Sequence, residues 1–282
     1  MPTVIENPRE AFWRAVSVPD PDIDVATASL WIAAEEYPGL DVVAYLGKFA
    51  LLAARAKSKV RRARSVYDAI YVLNDLLFET EGLCGNRSEY YDPRNSYLSD
   101  VLDRKLGIPI ALGVIYMEVG RRAGIKLRGI GLPGHFVLRA GEGQAEIYLD
   151  PFDRGGLLTR RECVGLVRAS AGNSPEAERF LEPYDNRSIL RRALTNLKAI
   201  YLKQNDQQRA LAAAERIRVV APALWENLAD LARIHTRLGH FEAAAQSLAE
   251  YVDLAPDSHD IATARETLRQ LRQMARGPDE PA

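Results

Sequence analysis

At 282 residues, 47% hydrophobic and 27% charged, the chain is long enough for two ordinary globular domains and too apolar to be disordered. A net charge of −1 sets up no overall field toward nucleic acid or anionic lipid. Two cysteines, Cys84 and Cys163, make neither a disulfide framework nor a CxxC redox site, and no apolar run reaches the length of a membrane span.

The N-terminus, MPTVIENPRE, has no basic stretch leading into an apolar one, so secretion is not expected and a cytoplasmic location is. Prolines and acids in the first 25 residues predict an extended, poorly packed lead-in. A helix follows over Ala28–Tyr37, stopped by Pro38-Gly39. Asp41 caps the next one, whose Val42, Tyr45, Leu46, Phe49 and Leu52 recur at the spacing of a buried stripe. That helix runs into Arg55–Arg64, where six of ten residues are Lys or Arg. The apolar stripe persists through this basic segment and no aromatics interleave with the charges, so a solvated face is favoured over a nucleic-acid patch. Ser65 caps a third helix, and Gly82 and Gly85 end it.

From Gly82 to Tyr97 the Gly, Asn, Asp and Pro residues predict a long irregular loop. Cys84 lies in it, with nothing local to lower its pKa, and reads as a small half-buried side chain. Asn95 or Ser96 is expected to cap a helix that closes at Gly107. Pro109 then opens a central helix with Leu112, Ile115, Tyr116 and Val119 inward, ended by Arg121-Arg122 and a left-handed Gly124. Three strands follow: Ile125–Leu132, His135–Arg139 after a tight Pro133-Gly134 turn, and Ala145–Leu149 after a turn at Gly141–Gly143. From Thr159 to about Glu182 the pattern weakens into polar segments with Gly172 and Pro175.

Beyond Pro183 the chain becomes alanine-rich and repeats itself. Pro222 and Pro256, Leu197 and Leu231, Ile200 and Ile234, and Ala210 and Ala244 each stand 34 residues apart, and Asn205 matches Gly239 at the turn. That period, with large, Gly, Ala and Pro markers in order, predicts two tetratricopeptide repeats followed by a capping helix over Ile261–Met274. The expected organisation is a lead-in (1–27), an α+β domain (28–183, with a helical layer at 28–81 and the core at 92–160), and an all-α repeat domain (184–282).

The order helix, strand with His135, strand ending in Asp150 resembles the core of the transglutaminase and papain-like superfamily. The wider chain resembles the bacterial SirB-type proteins, which join such a core to C-terminal tetratricopeptide repeats. The matching words are Glu35-Glu36-Tyr37-Pro38, Gly85-Asn86-Arg87, Asp92-Pro93-Arg94-Asn95-Ser96-Tyr97-Leu98, Gly107-Ile108-Pro109-Ile110, Pro133-Gly134-His135-Phe136 and Leu149-Asp150-Pro151-Phe152. The resemblance implies a cysteine nucleophile at the start of the central helix, activated by His135 and Asp150. In this chain that place falls at Pro109, Ile110 and Ala111, none of which has a nucleophilic side chain. It also makes Asn86, Asn95 and Tyr97 candidates for substrate contact or for the structure of the loop. No HExxH or similar cluster is present, so no metal and no cofactor is expected.

Two readings follow. One is a non-catalytic scaffold that holds a protein or peptide partner through its repeats, without nucleic acid or membrane, its His135–Asp150 pair being vestigial. The other is a hydrolase or acyl transferase of protease or transglutaminase type that still uses the pair. Nothing in the sequence brings the Cys84 loop to the histidine.

Overall fold

The computed structural model describes residues 6–143, 146–172, 176–256 and 261–276. Ala145 and Pro175, which figure in the expected third strand and in the polar segment, lie outside them. The chain forms two compact units, one through Ala193 and one from Leu194.

The first unit begins with helix α1 (Pro8–Val16), capped by the Asn7 side chain with Pro8 in the first turn and burying Ala11, Phe12 and Val16. This corrects the expected extended lead-in: Pro8 starts a helix, as proline at that position does, and does not break one. Helices α2 (Val25–Glu36), α3 (Val42–Val60) and α4 (Val66–Asn74) follow, with Asp24, Asp41 and Ser65 each accepting from a first-turn N–H. A wide π-helical turn over Asp75–Thr80 extends α4, and buries Leu76, Leu77 and Phe78.

The segment Gly82–Tyr97 contains strand β1 (Cys84–Gly85), which pairs in parallel with β2 (Leu106–Gly107) beyond helix α5 (Leu98–Arg104). Neither Asn95 nor Ser96 caps α5; Tyr97 occupies that place without a side-chain bond. The helix stops at Arg104 with Lys105 left-handed, short of Gly107. The reason is tertiary: the carbonyls of Lys105 and Gly107 accept from the Cys84 and Asn86 N–H groups at 2.8 and 3.0 Å.

Helix α6 (Pro109–Ala123) is the buried axis of the unit and ends at a left-handed Gly124. Against it lies an antiparallel sheet, β3 (Leu127–Leu132), β4 (His135–Ala140), β5 (Ile147–Asp150) and β6 (Gly156–Leu158), in that order. Gly113 lets the sheet approach, because a Cβ there would sit 2.7 Å from the Phe136 ring. The fourth strand and helix α7 (Arg160–Ala171) were not expected. Helix α7 opens with a Thr159–Glu162 capping box and buries only Cys163, Val164 and Val167, a stripe too narrow to stand out among polar residues.

Cys163 is fully buried, and burial, assisted by Glu162, pushes its thiol up to about 12. Folded-state ionisation is therefore displaced above the unfolded value of about 9, so this group contributes stability that falls as pH rises from about 9 toward 12. The expected result is iodoacetamide labelling of the native protein at pH 8 on Cys84 alone, with Cys163 labelled only after denaturation; peptide mass spectrometry reads it directly.

The second unit takes in the latter part of α8 (Asn186–Lys203) and then α9 (Gln207–Val220), α10 (Trp225–Arg237), α11 (Phe241–Leu254) and α12 (Ile261–Arg276). The 34-residue repeat has a physical basis here. Asn205 and Gly239 both adopt left-handed backbone (φ 59° and 76°) at the turn within each helix pair. Ala210 and Ala244 are fully buried, small enough for the paired helices to approach closely. Inside the unit, the buried Lys198 ammonium donates to Asp230 (2.6 Å) and Asn227 (2.9 Å). No helix among the described residues is long and apolar enough to cross a membrane.

Candidate active site

The histidine is placed by a two-residue turn. Leu132 pairs with His135 across Pro133-Gly134, and Gly134 takes the positive φ (72°) that a type II turn requires after its proline. Leu138 pairs with Leu149, and continuing that register sets Asp150 on the same face of the sheet as His135, one diagonal step away. His135 Nε2 lies 2.7 Å from Asp150 Oδ2. An ionised carboxylate can only accept, so Nε2 is the donor in this hydrogen bond and Nδ1 is the ring nitrogen turned away from Asp150. Asp150 is itself fixed, because its Oδ1 accepts from the N–H groups of Phe152 (2.9 Å) and Asp153 (3.3 Å). The pair is partly exposed, with the imidazole more so than the carboxylate.

An open cleft of about 450 Å³ runs over this pair, and Arg87, Tyr90, Pro109, Phe152, Leu166 and Ser170 line it as well. Of the first turn of α6 only Pro109 lines the cleft; Ile110 and Ala111 are buried in the main core. The turn therefore brings no thiol or hydroxyl to the imidazole. Cys84 is half-buried in β1, outside the cleft lining, and Ser96 is likewise absent from it.

The 82–97 loop does reach the site, which the sequence did not indicate. Gly85 packs so tightly on the Asp150–Asp153 turn that a Cβ would come within 2.6 Å of the Phe152 carbonyl. Arg87 then lies over the Phe152 ring (5.0 Å to the centroid) and pairs with Asp153 at 3.0 Å, while Tyr90 meets the same ring edge-on. Burial pushes the Tyr90 phenol up, with the Arg192 cation pulling partly back. Asn86 and Asn95 are buried away from the cleft. Asn86 Nδ2 donates to Asn95 Oδ1 (3.1 Å), and Asn95 Nδ2 donates to the carbonyl of Glu89 (2.7 Å). Tyr97 is buried, packed edge-on against Tyr37. Among the described residues no group of three or more His, Cys, Asp and Glu side chains is arranged to hold a metal.

Sequence reasoning missed Arg87, Tyr90, Phe152, Leu166 and Ser170 as cleft residues. Arg87 and Phe152 stood inside family-like words, so a signal existed; Ser170 lies on the unforeseen α7 and gave none.

Residues 44–195 match the Transglutaminase-like superfamily, and residues 197–269 match the Tetratricopeptide repeat. A UPF0162 protein of Xylella fastidiosa is 36% identical over 264 residues, covering 92% of this chain and 94% of its own. The chain belongs to the UPF0162 family. A more distant UPF0162 protein, from Vibrio cholerae, is 27% identical over 64% of this chain and 68% of its own. F-box only protein 21 of Mus musculus is 37% identical over a shorter stretch, 36% of this chain and 17% of that protein. No solved structure matches the chain. A UPF0162 protein is thus an α+β, transglutaminase-like domain followed by tetratricopeptide helices, and such repeats are protein-interaction modules.

Proposed function

We propose that this UPF0162 protein, a cytoplasmic scaffold of SirB type, holds a protein or peptide partner through its repeats and performs no acyl transfer. The observation that carries the reading is that, of the first turn of α6, Pro109 lines the cleft that holds His135 and has no nucleophilic atom. An imidazole oriented by a carboxylate can take a proton, but without an attacking atom it forms no covalent intermediate. His135 and Asp150 then serve to brace the β4–β5 corner, and the cleft is a recognition surface. The repeats supply the partner site by stacking helix pairs into a continuous face for an extended or helical segment.

A hydrolase reading keeps one supporting observation, the Ser170 hydroxyl in the cleft that holds His135. One experiment separates the two. Wild type and His135→Ala are treated with fluorophosphonate and acyl-thioester probes, and adducts are mapped by mass spectrometry. In parallel, partners are cross-linked in cells and their contact sites mapped. The expected result is no His135-dependent adduct and cross-links concentrated in residues 197–269. A Ser170 or Cys84 adduct that disappears in His135→Ala would sink the scaffold reading.

A further inference from the structure

Helix α3 is apolar on two opposite faces. Val42, Phe49, Leu52, Ala53, Ala56 and Val60 are buried in the core. Val43, Gly47, Ala50, Leu51, Ala54 and Ser58 form a second stripe, roughly opposite the first at about 100° per residue, and every one of them is exposed. Val43 is 77% and Leu51 69% exposed, among the most exposed large apolar side chains of the described chain. A surface helix ordinarily turns charge to water; a helix apolar all round is covered on both sides.

Gly47 points the same way independently. It lies mid-helix without positive φ, and a Cβ there would meet nothing within 4 Å. Neither backbone conformation nor crowding within the chain calls for a glycine, which weakens a helix interior. A close approach from outside does call for it. On one edge of the stripe the charges are held aside, Lys48 by Asp103 and Arg55 by Glu81; Lys57 borders the other edge.

We propose that this face is covered by α3 of a second copy of the chain, packed antiparallel about a twofold axis between Ala50 and Leu51. The charge order along α3 selects both the occupant and the direction. Glu36 and Asp41 precede the helix, and Arg61, Arg62 and Arg64 end it without an ion-pair partner among the described residues. An antiparallel copy lays the basic end of each helix beside the acidic lead-in of the other; a parallel copy would set like against like. The same register seats each Leu51 on the small Ala50 of the other copy, and pairs Gly47 with Ala54 and Val43 with Ser58. An isologous contact of this kind is self-complementary by construction. One helix pair sits at the low end of specific interfaces, about 1,000 Å² in total, so dissociation in the micromolar range is expected.

The test uses the full chain at roughly 1–100 µM, the range that brackets so small an interface, by sedimentation equilibrium. A monomer–dimer equilibrium is expected, weakened at least tenfold by Leu51→Arg and by Gly47→Gln. Circular dichroism should be unchanged in both, and the thermal midpoint, read at a concentration where the chain is monomeric, should fall in neither: Leu51 is 69% exposed, and replacing a mid-helix glycine that has open space around it raises helix stability. Direction is read by disulfide cross-linking in a Cys84→Ser background. A mixture of Gly47→Cys and Ala54→Cys chains should yield the heterodimer, with little cross-linking of either variant alone. A chain that stays monomeric at the highest concentration overturns the proposal. So does a dimer that ignores Leu51→Arg, or one in which Gly47→Cys links to itself and not to Ala54→Cys.

Discussion

Replacing Asn95 by Ala should cost about 3 kcal/mol, one of the largest losses expected from any polar side chain in the first unit. Asn95 is fully buried and serves three partners at once: it accepts from Asn86 and donates to the carbonyls of Glu89 and Tyr90. Its own carbonyl receives the Ile108 N–H at 3.0 Å, immediately before α6. Truncation leaves the Asn86 amide and the Glu89 carbonyl without their shared partner, at about 1–3 kcal/mol for each buried group left unpaired. For a unit of this size, about 3 kcal/mol corresponds to a midpoint lowered by roughly 6–12 °C. Asn95→Asp should give no rescue, since it keeps the acceptor for Asn86 but turns a carboxylate toward two carbonyl oxygens. The loop carries Cys84 at one end and the cleft residues Arg87 and Tyr90 further on. Alkylation of Cys84 should therefore accelerate in Asn95→Ala under native conditions. A midpoint within 2 °C of wild type, roughly the effect of 1 kcal/mol or less, would mean that the loop is held by something other than this amide pair.

The contrast between Asn95 and Asp41 explains what was legible in the sequence. Asp41, Ser65 and Gly124 act on backbone a few residues away, so local spacing was enough to find them. Asn95 has the same local credentials as a cap, yet its side chain is spent on partners five to nine residues back. Lys105 takes the left-handed conformation that local rules give to Gly107, because its own carbonyl and that of Gly107 accept from the Cys84 and Asn86 N–H groups. The same division holds at the site. His135 and Asp150 sit on one hairpin-connected sheet, where a period of two and a tight turn fix their shared face, so their meeting could be expected. Arg87 and Tyr90 enter the cleft only because Gly85 seats on Phe152, a contact 67 residues apart in sequence that no local pattern announces. Helix α7 carried a readable capping box at Thr159 and Glu162; its short apolar stripe hid it.

Pro109→Cys should place a reactive thiol beside the histidine–aspartate pair. Of the first-turn residues of α6, Pro109 alone lines the cleft, whereas Ile110 and Ala111 point into the core, so a cysteine at either of those would be buried away from the imidazole. The new thiol would stand at a helix N-terminus beside His135, two features that favour the thiolate and bring cysteine pKa values down to about 7 or below. At pH 6 a thiol of pKa about 8.5 is about 0.3% ionised and one of pKa about 7 about 10%, a gain of roughly thirtyfold. The lower basicity of that thiolate takes back about fivefold, leaving alkylation some five to ten times faster than an ordinary cysteine. Loss of proline from the first helical position removes a preorganised φ but no hydrogen bond, so the fold should tolerate the change. The measurement is the iodoacetamide rate between pH 5 and 9 for Pro109→Cys in a Cys84→Ser background, with and without His135→Ala. The expected profile rises well below pH 8 and moves back toward an ordinary thiol when His135 is removed. If position 109 alkylates no faster than Cys84 of the parent, or if His135→Ala leaves its profile unchanged, then the imidazole does not face the start of α6. In that case the missing nucleophile is no longer the reason to regard the cleft as inactive.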